Sequence, residues 1–100
     1  MAHILVTGWY PPNKAKEMVK VYTIKDKPTY PDFVKKINHW VTASTDGQIK
    51  VYAVYECPDD KIIDTMKAIA KRYTLYATVE GYRYYAELLM DAEEMIKLFL

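Results

Sequence analysis

Cysteine occurs once, at Cys57, among 100 residues, which excludes an intramolecular disulfide framework and a thiolate zinc site and fits a reducing cytoplasm. Charge of one sign is nowhere concentrated: fourteen Lys and Arg stand against thirteen Asp and Glu, for a formal charge of +1, and neither sign runs longer than two residues. That leaves no electrostatic footprint for nucleic acid or an anionic membrane. Long apolar runs are missing as well. The opening MAHILVTGWYPP has no basic leader and is broken too early for a signal peptide or a membrane span. Histidine is limited to His3 and His39, and without a carboxylate pair at ligand spacing they make no metal set. The expectation is a cytoplasmic protein of one domain, residues 1–100, near the size at which burying surface against a partner helps appreciably.

What is plentiful is tyrosine, with ten copies. Its ring wants an apolar wall and its hydroxyl a polar partner, so this composition points to wet-edged pockets or subunit contacts rather than a purely aliphatic core. Residues 3–10 are β-rich and stopped by Pro11 and Pro12. Ala15, Met18, Val19 and Tyr22 then recur at spacings of three and four, the pattern of an amphipathic helix that ends before Pro28. Residues 25–33 carry two prolines and no period and read as a loop able to fold over something. Residues 37–45 alternate, Asp46-Gly47 is a strong hairpin signal, and residues 48–56 form the returning strand.

Pro58, Asp59 and Asp60 suit a helix start. The stripe Ile62, Ile63, Met66, Ile69, Ala70 and Tyr73 carries that helix forward. Residues 75–89 read as a long final strand interrupted or bulged at Gly81, with Tyr82 and Tyr84 on one face and Arg83 and Tyr85 on the other. Asp91 with Glu94 opens a short apolar terminal helix through Met95, Ile96, Leu98 and Phe99. The order strand, helix, strand, strand, helix, strand, helix predicts an α+β domain of ferredoxin-like βαββαβ plan: a four-stranded antiparallel sheet, helices on one face, and an extra C-terminal helix.

Two helices cover only one face of such a sheet, yet the strands are apolar or aromatic at both parities. Ile4, Val6 and Tyr10 share one face of the first strand, and Leu5, Thr7 and Trp9 the other. A second sheet has to cover the remainder. On this strand order, the hairpin, the tyrosine-bearing sheet and the terminal helix, the chain resembles the dimeric α/β-barrel superfamily. The stretches GWYPPNKA, DGQIKVYAVYE and VEGYRYYAE are similar to a group of short, functionally unassigned prokaryotic proteins of that kind. The resemblance implies a homodimer, or a higher oligomer, with two sheets face to face. The superfamily's oxygenases, isomerases and ligand sensors share that architecture without sharing a reaction. Members that degrade haem use an asparagine, a tryptophan and a histidine. Asn38, His39 and Trp40 supply those types consecutively, so alternation sends His39 away from the other two; no role is carried over, and no cofactor is expected.

The expected lumen between the sheets is fed by Trp9, Trp40, Tyr52 and Tyr85, with Tyr30 and Phe33 closing its mouth. It either holds a small hydrophobic or aromatic ligand or is filled by its own side chains. Glu56 and Arg83 either face that lumen, and then need a partner or a polar ligand, or face solvent as a modest ion pair. Cys57, beside two acids, reads as a passive thiol. A binding or assembly protein is the leading expectation. The other is a cofactor-independent monooxygenase or isomerase with His39, Glu56 or Glu80 as the titratable group. A docking role for residues 95–100 is a third.

Overall fold

The computed structural model of the chain describes residues 1–43 and 46–100. Strand β1 (Ala2–Tyr10) leads through a proline-initiated 3-10 turn, Pro12–Lys14, into helix α1 (Ala15–Tyr22). Residues 24–34 return to strand β2 (Lys35–Ala43), which pairs with β3 (Ile49–Cys57). A second 3-10 turn, Asp59–Lys61, runs into α2 (Ile62–Tyr73), followed by β4 (Arg83–Leu89) and the short α3 (Ala92–Lys97). The four strands lie in the order β2-β3-β1-β4, and every pair is antiparallel. This is the ferredoxin-like α+β arrangement expected from the sequence.

The alternation of β1 decides which face the helices cover. Ala2, Ile4, Val6 and Tyr10 are buried, as are Ala53, Tyr55 and Cys57 of β3. Ile69 of α2 joins Ile4, Val6, Ala53 and Tyr55 in one cluster, and Met18 of α1 joins Tyr10, Tyr76 and Val79 in another. Each fully buried large side chain here contributes roughly 1.5–3 kcal/mol. Both α1 and α2 therefore sit on one face of the sheet. The outermost strand, β2, extends beyond their reach, and all nine of its residues are exposed.

Two expectations change. The final strand does not begin near residue 75, because Thr74–Thr78 is a 3-10 turn. The turn is continued by hydrogen bonds from the Val79 amide to the Tyr76 carbonyl at 3.0 Å and from the Tyr82 amide to the Val79 carbonyl at 3.1 Å. Tyr73, Tyr76, Val79 and Tyr82 recur every three residues, which is the 3-10 repeat rather than the strand repeat, and all four join the second cluster. Gly81, at φ +84°, makes the left-handed step that turns the chain back toward the sheet. Strand β2 also starts two residues earlier than the sequence suggested and carries a bulge between Lys36 and Asn38. Ser44 and Thr45, at the other end of that expected strand, lie outside the described residues. The hairpin beyond them closes with Gly47 at φ +84° and the Gln48 amide donating to the Asp46 carboxylate at 3.0 Å.

Helix α3 buries none of its residues, and Met95, Ile96, Leu98, Phe99 and Leu100 are exposed. No helix among the described residues is long and apolar enough to cross a membrane.

Candidate functional site

The register of the sheet distributes the candidate residues. On the face away from the helices, Thr7 pairs with Tyr52 on one side and Tyr85 on the other, and Trp40 pairs with Tyr52. Tyr85, Thr7, Tyr52 and Trp40 thus form one row across all four strands. The next row holds Arg83, Trp9 and Lys50. The Trp9 ring lies 5.0 Å from that of Tyr85, with the Arg83 guanidinium 5.0 Å and the Lys50 ammonium 5.9 Å from its centroid. Both cations gain from the ring's negative face. At the opposite end of the same face, His3 Nε2 meets Glu56 Oε2 at 3.0 Å, Glu87 sits beside Leu5, and Lys35 borders Glu56 at the sheet edge. Six of the eight expected lumen residues, Trp9, Trp40, Tyr52, Glu56, Arg83 and Tyr85, therefore share one face. It is bare: Trp40 is 54% and Tyr85 50% exposed.

Tyr30 and Phe33 do not join them. The loop that carries them folds back over the helix side, where Val34 is buried in the first cluster and both rings pack against it. The cause is connectivity, since the loop leaves α1 on that side and its apolar residues find the core before they reach the sheet edge. Tyr30 donates its hydroxyl proton to Tyr55 at 2.9 Å, and Tyr55 in turn contacts the Tyr73 hydroxyl at 3.2 Å. Arg72 pins the same loop by donating to the Pro28 carbonyl at 2.8 Å, with its guanidinium 5.5 Å from the centre of the Tyr30 ring.

This closure leaves a cavity of about 200 Å³ on the helix face, in the gap between α1 and the uncovered strand β2. Its floor is Val51 and Tyr55 of β3 with Tyr10 of β1; Met18, Val19 and Tyr22 of α1 form one wall, and Tyr73, Tyr76 and Tyr82 the inner end. Lys36, His39 and Val41 of β2 stand at the outer side. The aromatic rings support one another: Tyr73 lies 4.8 Å from Tyr84 and 5.6 Å from Tyr76, and Tyr76 lies 5.0 Å from Tyr82. Such pairs each add about 0.5–1.5 kcal/mol beyond area burial.

The electrostatics follow from burial. Desolvation pushes the phenols of Tyr73 and Tyr76 up to about 12 and raises those of Tyr30, Tyr55 and Tyr82 as well, so all five are firmly protonated donors at neutral pH. His39, with its ring 5.7 Å from that of Tyr22, is pushed down by desolvation and then by Lys36, which favours its neutral form. Of the three titratable candidates for catalysis, His39 faces the cavity, Glu56 faces the bare side of the sheet, and Glu80 is exposed in the turn before β4. They lie in three different places and form no acid–base set. Cys57 is buried at the end of β3.

Sequence reasoning missed this cavity. Its signal was the third-residue spacing of Tyr73, Tyr76 and Tyr82, which belongs with the helices and not with the sheet. Neither a family model, nor a curated protein, nor a solved structure matches the chain. Its role has to be read from this geometry.

Proposed function

We propose that this protein is a homodimeric binder of a small apolar or aromatic molecule, its two sheets stacked as in a dimeric α/β barrel and its ligand held in each subunit's tyrosine-lined cavity. The cavity carries the ligand reading. The space is a concave cleft bordered by apolar rings with a few aimed hydroxyls, the composition of a small-molecule site. At about 200 Å³ it falls below the roughly 300–1,000 Å³ of drug-sized pockets, so the molecule is small, of the order of a single ring.

The bare aromatic face supports the assembly. A sheet face bearing Trp9, Trp40, Tyr52 and Tyr85, of which Trp40 and Tyr85 are half-exposed, is the kind of patch that marks an interaction surface. Its charge pattern favours a second copy as the cover. Arg83 and Lys50 lie at one end, and Glu56 and Glu87, with Lys35 at the edge, lie at the other. A two-fold axis running across the strands lays the cationic end of each sheet over the acidic end of its partner, whereas an axis along the strands sets like charge on like. The first arrangement is the one proposed.

Native mass spectrometry of protein purified gently from its host tests both parts. A dimer with a reproducible extra mass, released on denaturation, supports the reading. A monomer at micromolar concentration overturns the assembly. A dimer that carries no extra mass and takes up no small aromatic compound on titration overturns the ligand site.

A further inference from the structure

Resting on the reading of the cavity as a ligand site, we infer that its ligand is an apolar monocarboxylate, with the acid group directed to Lys36 at the mouth and the apolar body against the tyrosine wall. Three observations converge on an acceptor-rich, negative group. First, among the described residues the charged side chains bordering the cavity are Lys36 and Arg72, and no carboxylate borders it. Neither cation has a carboxylate within ion-pair distance among the described residues. Lys36 instead rests over the Tyr22 ring, 5.5 Å from its centroid. An ammonium at the rim of an apolar cleft, unpaired, is a charge that a ligand anion would complete.

Second, the tyrosine chain has a donor in surplus. Tyr30, Tyr55 and Tyr73 bring one hydroxyl proton each, but only two hydroxyl-to-hydroxyl contacts join them. Whichever way the proton between Tyr55 and Tyr73 points, one O–H is left to donate outside the chain. A ligand with acceptor oxygens takes that bond, and an ammonium ligand does not. Third, Arg72 is held in place by the Pro28 carbonyl and the Tyr30 ring, so its positive charge is fixed at the wall. Small size agrees with the cavity volume, and a single carboxylate is what one rim ammonium and one spare hydroxyl donor can pair, because Arg72 is already engaged by the Pro28 carbonyl and the Tyr30 ring.

Calorimetric titration with benzoate, benzamide and benzylamine separates the shape of the ligand from its charge, because the three share a ring and differ in one substituent. The expected result is that benzoate binds at least tenfold more tightly than benzamide, that benzylamine gives no heat, and that Lys36→Met weakens benzoate far more than benzamide, removing most of the benzoate preference. Lys36 is exposed, so this variant folds. Equal binding of benzoate and benzamide, or a benzoate preference that survives Lys36→Met, overturns the carboxylate inference and leaves the aromatic cavity standing. Tighter binding of benzylamine overturns it as well. No binding of any of the three overturns the carboxylate inference and counts against the cavity as an aromatic-ligand site.

Discussion

A methyl group added to β1 at Gly8 probes whether the tyrosine wall is packed as described. A Cβ built there stands 2.8 Å from the Tyr82 hydroxyl oxygen and 3.3 Å from two of its ring carbons. The ring cannot swing away freely, because it stacks 5.0 Å from Tyr76 and 6.2 Å from Tyr84, and its own amide is bonded to Val79. Overpacking of this kind costs about 1–3 kcal/mol. Alanine in place of glycine in a strand returns roughly 0.5–1 kcal/mol. Gly8→Ala is therefore expected to destabilise by about 1–2 kcal/mol, a fall in Tm of roughly 4–15 °C for a domain of this size. Tyr82→Phe removes the atom that makes the shortest contact, so in that background Gly8→Ala should be neutral or slightly stabilising. Urea denaturation of the four proteins at one fixed concentration gives the coupling, expected to be at least about 1 kcal/mol. An equal effect of Gly8→Ala in both backgrounds would refute the placement of Tyr82 over β1.

The other expectations are shorter. Gly81→Ala combines the strain of φ +84° with a Cβ 2.8 Å from the Pro11 ring and should cost about 2 kcal/mol or more by urea denaturation. Tyr73 and Tyr76 hold their protons up to about 12, while the unfolded chain releases them near 10. Stability is thus full below pH 10 and falls as pH rises toward 12, by about 1.4 kcal/mol per unit for each of these buried phenols. Late-appearing tyrosinate absorbance should coincide with loss of circular dichroism; a single early titration of all ten tyrosines with the fold intact would contradict this. Arg83→Glu should weaken the proposed dimer at least tenfold, measured by sedimentation, and adding Glu87→Arg should restore it; no restoration would reject the axis across the strands. Deleting residues 92–100 removes no buried side chain and should shift stability by less than about 0.5 kcal/mol, so a larger loss in the isolated subunit would show that α3 covers core.

The frame of the fold was legible because its signals are local. Pro11, Pro12 and Pro58 punctuate the strands, Met18 and Ile69 mark the inward faces of the helices, and the alternation of β1 separates Ile4 and Val6 from Leu5 and Trp9. The same alternation correctly divided Tyr82 and Tyr84 from Arg83 and Tyr85, since a period of two survives whatever lies across the sheet. Tyr30, Phe33 and Tyr76 show where such reasoning stops. Phe33 and Tyr30 sit in a segment without a period, and which side of the sheet they take is decided by the exit of α1 and by Arg72, which lies 44 residues from Pro28 in sequence and donates to its carbonyl at 2.8 Å. Tyr76 had a period, but of three, and a tyrosine-rich stretch ending in a strand hid it. The cavity exists because two short helices cannot cover the outermost strand as well as the inner ones, a property of the assembled layers that no single segment expresses. The reading of a ligand site thus rests on that cavity, and the inference of a carboxylate on a surplus donor and two cations brought to it from α2, β2, β3 and the loop, which is why only their geometry could raise the question of what they hold.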